Sequence, residues 1–523
     1  MKKAIALLLA LMMVLSLAAC GDNNPAGGGG NSGGGNAGGG NSGGSNNPGG
    51  GGGDSAGGLI NFDEDPYEVS IQFVGLFEAN NDIAAVEEAL NAITVPKINC
   101  KVDIVPVFIG DLPTTTSLGV AGGEKLDIVA VGLTSPISTM VKDDLLLPLD
   151  DLLAERGPAA LEVTKNVAEA QKINGVTYAV TGYPYAARAG GFVYNKAMAT
   201  EYGIDMHDGM TYEDLSAAGE ILKEHGVYLT FFGNSSQLNF KFFNGGEYFG
   251  GSSGEYGAVL DPGSSTEVIN VFDSQEIRDY FKTVKSWLNA GYLPTGQLTD
   301  TNQTQQYLQQ GTIFGTSTDY TPNQLASWGV LSDAGIVQLA EGQVFTGSVA
   351  EFMLGIAANC KRPDKAMDLI NLIYEDADVC NLLMYGVEGL DYVAVEGEEN
   401  VITRAGTSNE DANGYYAAFV HYGDPLKQKI MAPVEASYYE DVVAFENASV
   451  KSLAFGYTFD AGNYGAETAA INNVLAEKLP ALNAGEVADV DAAVDDLVAA
   501  LKTAGIDNVI AANQEQLNAY LGK

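Results

Sequence analysis

Three histidines, four cysteines and 67 carboxylates are the side chains of this 523-residue chain that catalysis or metal binding would draw on. His207, His225 and His421 are far apart, and no C-x-x-C or Cys/His cluster exists, so a zinc site has no support. Two carboxylates at a set separation would suit glycoside hydrolysis. With 67 acids, however, a pair found in sequence carries no information. No nucleophile elbow, zinc-binding His pair or phosphate loop occurs. The chain therefore reads as a binder, not an enzyme, with no cofactor and no metal. Its formal charge of −41 repels phosphate and excludes nucleic acid as a partner. Acidic ligands are disfavoured unless a local basic pocket receives them, and a neutral small solute fits more easily. The same acidity also serves to keep a secreted protein soluble.

The elements that must position such a site follow from periodicity. Val69–Phe73 reads as a strand, Asn80–Ile93 as a helix with Ile83, Val86, Leu90 and Ile93 on one face, and Ile98–Ile109 and Leu126–Val131 as strands. This order predicts a parallel, right-handed α/β unit. Thr211–Asp214 opens a capped helix to about Glu224, Val227–Phe232 reads as a buried strand, and Asp273 or Ser274 caps a helix closed by Gly291. Thr312–Phe314 is a short strand, Pro363 suits a helix first turn, and Val490–Thr503 and Asp507–Leu521 are helices. About 460 residues exceed one core at about 100–200 residues per domain. The pattern predicts two doubly wound α/β lobes. In such sheets ligands lie beyond the carboxyl ends of strands, which directs attention to the segments after Phe73, Val131, Phe232 and Phe314. Trp287 falls among apolar helix positions and reads as core. Trp328 is open between core and site. Cys100, Cys360 and Cys380 read as buried small hydrophobes.

The first residues set the compartment. Lys2 and Lys3 precede the apolar run Ala4–Leu17, too short to span a membrane comfortably, so residues 1–19 read as an export signal. Leu17-Ala18-Ala19-Cys20 resembles a bacterial lipobox, which implies cleavage before Cys20 and lipidation of its thiol. Residues 21–58 hold 20 Gly in 38 positions and cannot bury enough surface to order themselves. A flexible coil of that length spans about 35 Å. Residues 20–62 thus form a lipidated tether, placing the protein on the outer face of the bacterial cytoplasmic membrane; so long a tether suits a Gram-positive surface. Lipid is the only membrane attachment expected.

Three segments and the C-terminus carry a family resemblance. Thr177–Tyr185, continuing through Arg188 to Phe192-Val193-Tyr194-Asn195-Lys196, resembles the first interlobe crossover of family 1 extracellular solute-binding proteins, the maltose-binding type. Lys361–Met367 resembles the helix start after their second crossover. Asn381–Tyr392 is similar to the LipO-like lipoprotein subgroup, and Phe455–Asp460 with Leu501–Asp507 resembles the C-terminal domain of that subgroup. The resemblance implies a two-lobed type II periplasmic-binding-protein-like fold with a hinge and a helical C-terminal region. Residues 63–187 with about 350–425 would form one lobe, and 188–349 with about 426–523 the other. It implies a monomeric receptor that closes over a sugar or oligosaccharide and delivers it to the permease subunits of an ABC importer. Presenting ligand to a membrane sensor kinase, or binding a peptide or carboxylated solute, stays open.

Carried onto this chain, the resemblance implies a site from Tyr183, Tyr185 and Arg188 at the first crossover and Glu351 and Phe352 at the second. Asp319 and Tyr320 follow the Thr312–Phe314 strand, where the family offers an aromatic ring. Asn234, Gln237 and Asn239 are rim candidates, as are Phe77, Glu78 and Asn80 after the first strand, and Thr134 and Ser135 after the third. Rings stack on the apolar face of a pyranose while carboxylates and amides bond its rim. Arg188 departs from the family, which places an acid there. It could donate to hydroxyls, bind a carboxylate, or form an interlobe salt bridge.

Overall fold

The structure is a computed structural model that describes residues 59–75, 82–250, 253–322, 334–405, 415, 417, 420–432, 434 and 436–523. Phe77, Glu78, Asn80, Trp328, Cys20 and the leader lie outside the described residues. Pro66–Lys523 forms one compact unit; before it, the Asp63 amide donates to Asn61 Oδ1 at 3.0 Å within residues 59–65.

Two principal sheets organise the Pro66–Lys523 unit. The first has the strand order Cys100–Phe108, Tyr67–Gly75, Ile128–Gly132, Phe352–Ile356, Ala179–Thr181. Its first three strands are parallel and Phe352–Ile356 runs antiparallel to both neighbours. Val69–Val74, Ile128–Gly132 and Phe352–Ile356 are buried along their whole length, as strands covered on both faces must be. The edge strand alternates instead and tolerates Pro106 because no ladder partner needs its N–H. Several buried polar groups inside this lobe are paired. Asp127 accepts from the Ser70 amide (3.0 Å), and Gln72 Oε1 accepts from the Ala130 amide (3.0 Å). Tyr422 stacks on Phe73 and donates its hydroxyl to Gln72 O at 3.0 Å, tying residue 422 to the first strand.

The second sheet corrects the expectation of a parallel, doubly wound lobe. It has three strands, Gly315–Tyr320, Ala189–Asn195 and Ala334–Gln338, and every pairing is antiparallel. Val227–Phe232 is extended and buried but is not a strand. Tyr228 makes a single bridge to Ile313, the Leu229 amide turns to Tyr292 O, and the Phe232 amide is taken by the Gln297 side chain. The strand expected at Thr312–Phe314 starts three residues later. The first helix runs Ile83–Ile98, past the expected Ile93 and through Pro96, because Thr94 and Ile98 pack inward and Thr94 bonds Cys100 O. Trp287 is core, its Nε1 donating to Ser216 Oγ at 2.7 Å. Cys100 and Cys380 are buried, whereas Cys360 is only partly so and its thiol donates to Asp127 at 3.1 Å.

The helices Gly465–Asn483, Val490–Ala504 and Ile506–Tyr520 complete the second lobe's core. Leu475, Leu479, Leu497, Leu501 and Val509 pack with Phe272, Phe281, Trp287 and Phe314. Among the described residues, no helix is long and apolar enough to cross a membrane.

The chain passes between the sheets at residues 182–188, 339–351 and after Met431. These segments pair through their main chains. Arg188 and Gln343 exchange N–H···O bonds of 2.9 and 2.7 Å, and Gln343–Val344 pairs in parallel with Val450–Lys451. A small core of Ala186, Ala187, Val344, Val349 and Phe455 underlies them. Gly182 is required there, since a Cβ would lie 2.0 Å from His421 O. Ser452, next to the last strand of this ladder, donates its hydroxyl to buried Glu247.

Burial, opposed only by that hydrogen bond, pushes the Glu247 carboxyl from 4.5 up to about 7. The folded chain therefore holds this proton more tightly than the unfolded one. Its stabilisation is full below about pH 4.5 and is lost as pH rises through about 7, by roughly 3 kcal/mol. Glu247→Gln, which keeps the acceptor without the charge, should gain stability over wild type between pH 5 and pH 8 by about that amount. Urea unfolding at both pH values measures it, and equal wild-type/variant differences would contradict it.

Candidate functional site

The three crossing segments and the second sheet's edge bring distant side chains together. Arg188, on the first crossing, pairs through its guanidinium with Glu351 on the second. Both stay reachable by solvent, at 30% and 40% side-chain exposure. Asp319 lies opposite Gly190 in the ladder, two residues from Arg188. Burial works against the Arg188 charge, but Glu351 and Asp319 outweigh it and hold its pKa above the ordinary value. Tyr183 follows Gly182 and points its ring edge-on to His421, centroids 4.9 Å apart. Burial first, then Glu351, pushes the Tyr183 hydroxyl far above its ordinary pKa, so it remains a neutral donor. Burial lowers the His421 pKa, and His421 Nδ1 lies 2.9 Å from Gln428 Oε1. Burial also raises the Tyr185 pKa, with Asp424 and Glu446 adding to it.

The third crossing adds the helix Tyr438–Ala448, which has no fully buried residue. Tyr438, Asp441 and Phe445 fall at i, i+3 and i+7 and share one face. Phe445 meets Tyr320 edge to face, centroids 5.4 Å apart. Tyr320, Pro322, Asp441, Ala444 and Phe445 line a cleft of about 220 Å³. Glu446 accepts from the Ala187 amide at 2.8 Å, which docks this helix on the first crossing, and burial raises its pKa. Burial likewise pushes the Tyr438 hydroxyl up to about 12. Two half-exposed rings, one hydroxyl and one carboxylate thus line this cleft. Rings supply flat apolar faces and carboxylates accept from hydroxyls.

Several expected residues lie elsewhere. Phe352 is fully buried, its ring edge-on to Tyr422, so it serves the sheet core and offers no face to a ligand. Thr134 uses its hydroxyl on Ile109 O at 2.9 Å, and Ser135 is buried beside it with no hydrogen-bond partner for its hydroxyl among the described residues. Asn234 is exposed, Asn239 is buried, and Gln237 is intermediate. Their loop is braced by Asn483, which donates to Ser235 O and Gln237 O at 2.9 and 2.7 Å. Asp319 and Tyr320 end their strand rather than follow it. His421, Tyr438, Asp441 and Phe445 were not legible as candidates; the i, i+3, i+7 spacing of the last three was the available signal. Among the described residues no group of His, Cys, Asp and Glu could hold a metal ion.

The bacterial extracellular solute-binding protein model matches residues 84–379, more than half the chain, and a domain of unknown function (DUF3502) matches 453–522. A relative from Streptococcus pneumoniae serotype 4, named a carbohydrate ABC transporter substrate-binding protein, is 26% identical over 463 residues, 82% of this chain and 87% of its own length. The N-glycan transport solute binding protein NgtS from Streptococcus pneumoniae superposes with a TM-score of 0.74 at 23% identity, over 87% of this chain and 99% of its own. Its complex with Man1GlcNAc superposes at 0.60, with 22% identity over 87% and 100% of the two chains. The chain belongs to the bacterial extracellular solute-binding proteins, two-lobed binders rather than enzymes.

Proposed function

We propose that the protein is a lipid-anchored receptor that captures an oligosaccharide between its lobes and delivers it to the permease subunits of an ABC importer. The observation that carries this reading is the cleft where Tyr320 and Phe445 meet at 5.4 Å beside Asp441, next to the Arg188–Glu351 pair. Ligand pockets combine apolar rings with a few placed polar groups, and a saccharide uses both. The carbohydrate transport names of the pneumococcal relatives support the same class. The binding set is Tyr183, Tyr185, Arg188, Asp319, Tyr320 and Glu351, joined by His421, Tyr438, Asp441 and Phe445. Thr134 and Gln237 are kept as outer candidates, and Phe77, Glu78 and Asn80 are retained from the sequence alone. The first lobe extends through Met431, because Ile430–Met431 pairs with Val401–Arg404. Closing about the three crossing segments then encloses the sugar, as hinged binders do.

The Leu17-Ala18-Ala19-Cys20 motif and the Gly-rich stretch behind it support attachment by lipid on Cys20 and reach above the membrane.

Two outcomes test this reading. A neutral oligosaccharide at 100 times its Kd should stabilise the protein by about 2.7 kcal/mol. Phe445→Ala should weaken binding at least tenfold, about 1.4 kcal/mol by calorimetry; no binding by any neutral saccharide would sink the proposal. Separately, Cys20→Ser should release the protein from the membrane fraction into the medium. Retention of the variant would remove lipid as the anchor.

A further inference from the structure

We infer that the cleft selects uncharged glycans against their carboxylated counterparts, because its guanidinium is already matched by the protein's own carboxylates. The inference rests on the oligosaccharide reading above and adds a charge class to it.

Arg188 pairs with Glu351, and the Asp319 charge acts on the same guanidinium, so the protein's own carboxylates already oppose this cation. A third, from a ligand, would enter beside them with no added cation. Around Tyr320 the surplus grows. Asp208 and Asp441 both act on its hydroxyl, and Asp441 also lines the cleft. Among the described residues, Lys451 is a cation that acts on Glu446. Its ammonium donates to Asn166 O and sits 4.6 Å over the Phe455 ring, so it is engaged away from the cleft. The stretches of the Pro66–Lys523 unit outside the described residues contain no Lys or Arg in sequence, only further acids such as Glu78 and Asp333. Hydroxyls, by contrast, can donate to every one of these carboxylates. A partly desolvated carboxylate meeting like charge is strongly disfavoured, while an equally shaped hydroxymethyl group is not.

The test is calorimetry on the whole protein with a matched pair of probes. One is mannosyl-N-acetylglucosamine; the other is the same disaccharide with the mannose hydroxymethyl oxidised to a carboxylate. The neutral probe should bind at least a hundredfold more tightly at low salt. Glu351→Gln, which releases Arg188 from one carboxylate, should narrow the neutral-to-acid ratio at least tenfold. Acid binding within threefold of neutral, or tighter, overturns the inference and leaves the glycan reading intact. If neither probe binds, further neutral oligosaccharides and their oxidised partners are compared in the same way, and binding by no neutral saccharide overturns the glycan reading and this inference together.

Discussion

Main-chain pairing of the crossing segments is the constraint from which the rest of the molecule follows. Arg188 bonds Gln343 in both directions, and Gln343–Val344 lies along Val450–Lys451. Three stretches more than a hundred residues apart in sequence become neighbours in one narrow ladder. Each N–H···O bond contributes only about 1 kcal/mol net. The geometric effect is larger: the ladder holds Arg188, Glu351 and the Tyr438–Ala448 helix on adjoining segments. Glu446 strengthens this by accepting from the Ala187 amide, and Gly182 allows the close approach of His421 O. The proposed binding groups therefore stand on the crossing segments, and the proposed closure of the lobes need not dismantle them.

The C-terminal helices are part of that arrangement and not an appendage. Their leucines and valines fill the second lobe's core, each fully buried side chain contributing about 1.5–3 kcal/mol. Asn483 braces the Ser235–Gln237 loop, while Tyr457 and Tyr520 fasten the third crossing through bonds to Asn513 and Phe455 O. Salt bridges from Arg278 and Lys502 across the Gln275–Ala290 helix are exposed and add little. Glu247 is the exception to this apolar economy. It buries a carboxyl where the third crossing meets the second lobe, so the junction responds to pH near neutrality.

The first lobe was legible in the sequence because its strands are rich in Val and Ile, alternating in Val69–Phe73 and Cys100–Phe108 and continuous in Ile128–Val131. The helix starting at Pro363 and the capped helices at Thr211 and Ser274 were legible through local chemistry. The second lobe was less so. Val227–Phe232 has a strand's composition, but Gln297 and Tyr292 intercept its hydrogen bonds, a tertiary effect no local pattern reveals. In the site, Arg188 was singled out for its departure from the family's charge, and its pairing with Glu351 agrees with the interlobe salt bridge. Phe352 has a ligand ring's position in the sequence, yet it begins a central strand covered on both faces, so its ring is core. The third crossing went unread because its helix buries no residue fully, leaving no strong periodic signal.

The central claim is that the lobes close about this ladder when sugar binds. Small-angle X-ray scattering on the Pro66–Lys523 unit, with and without an oligosaccharide shown by calorimetry to saturate it, tests that most directly. Lobe closure should give a smaller radius of gyration with sugar bound, from a free value of about 23 Å for a compact body of this length. Identical scattering curves at full saturation would contradict it.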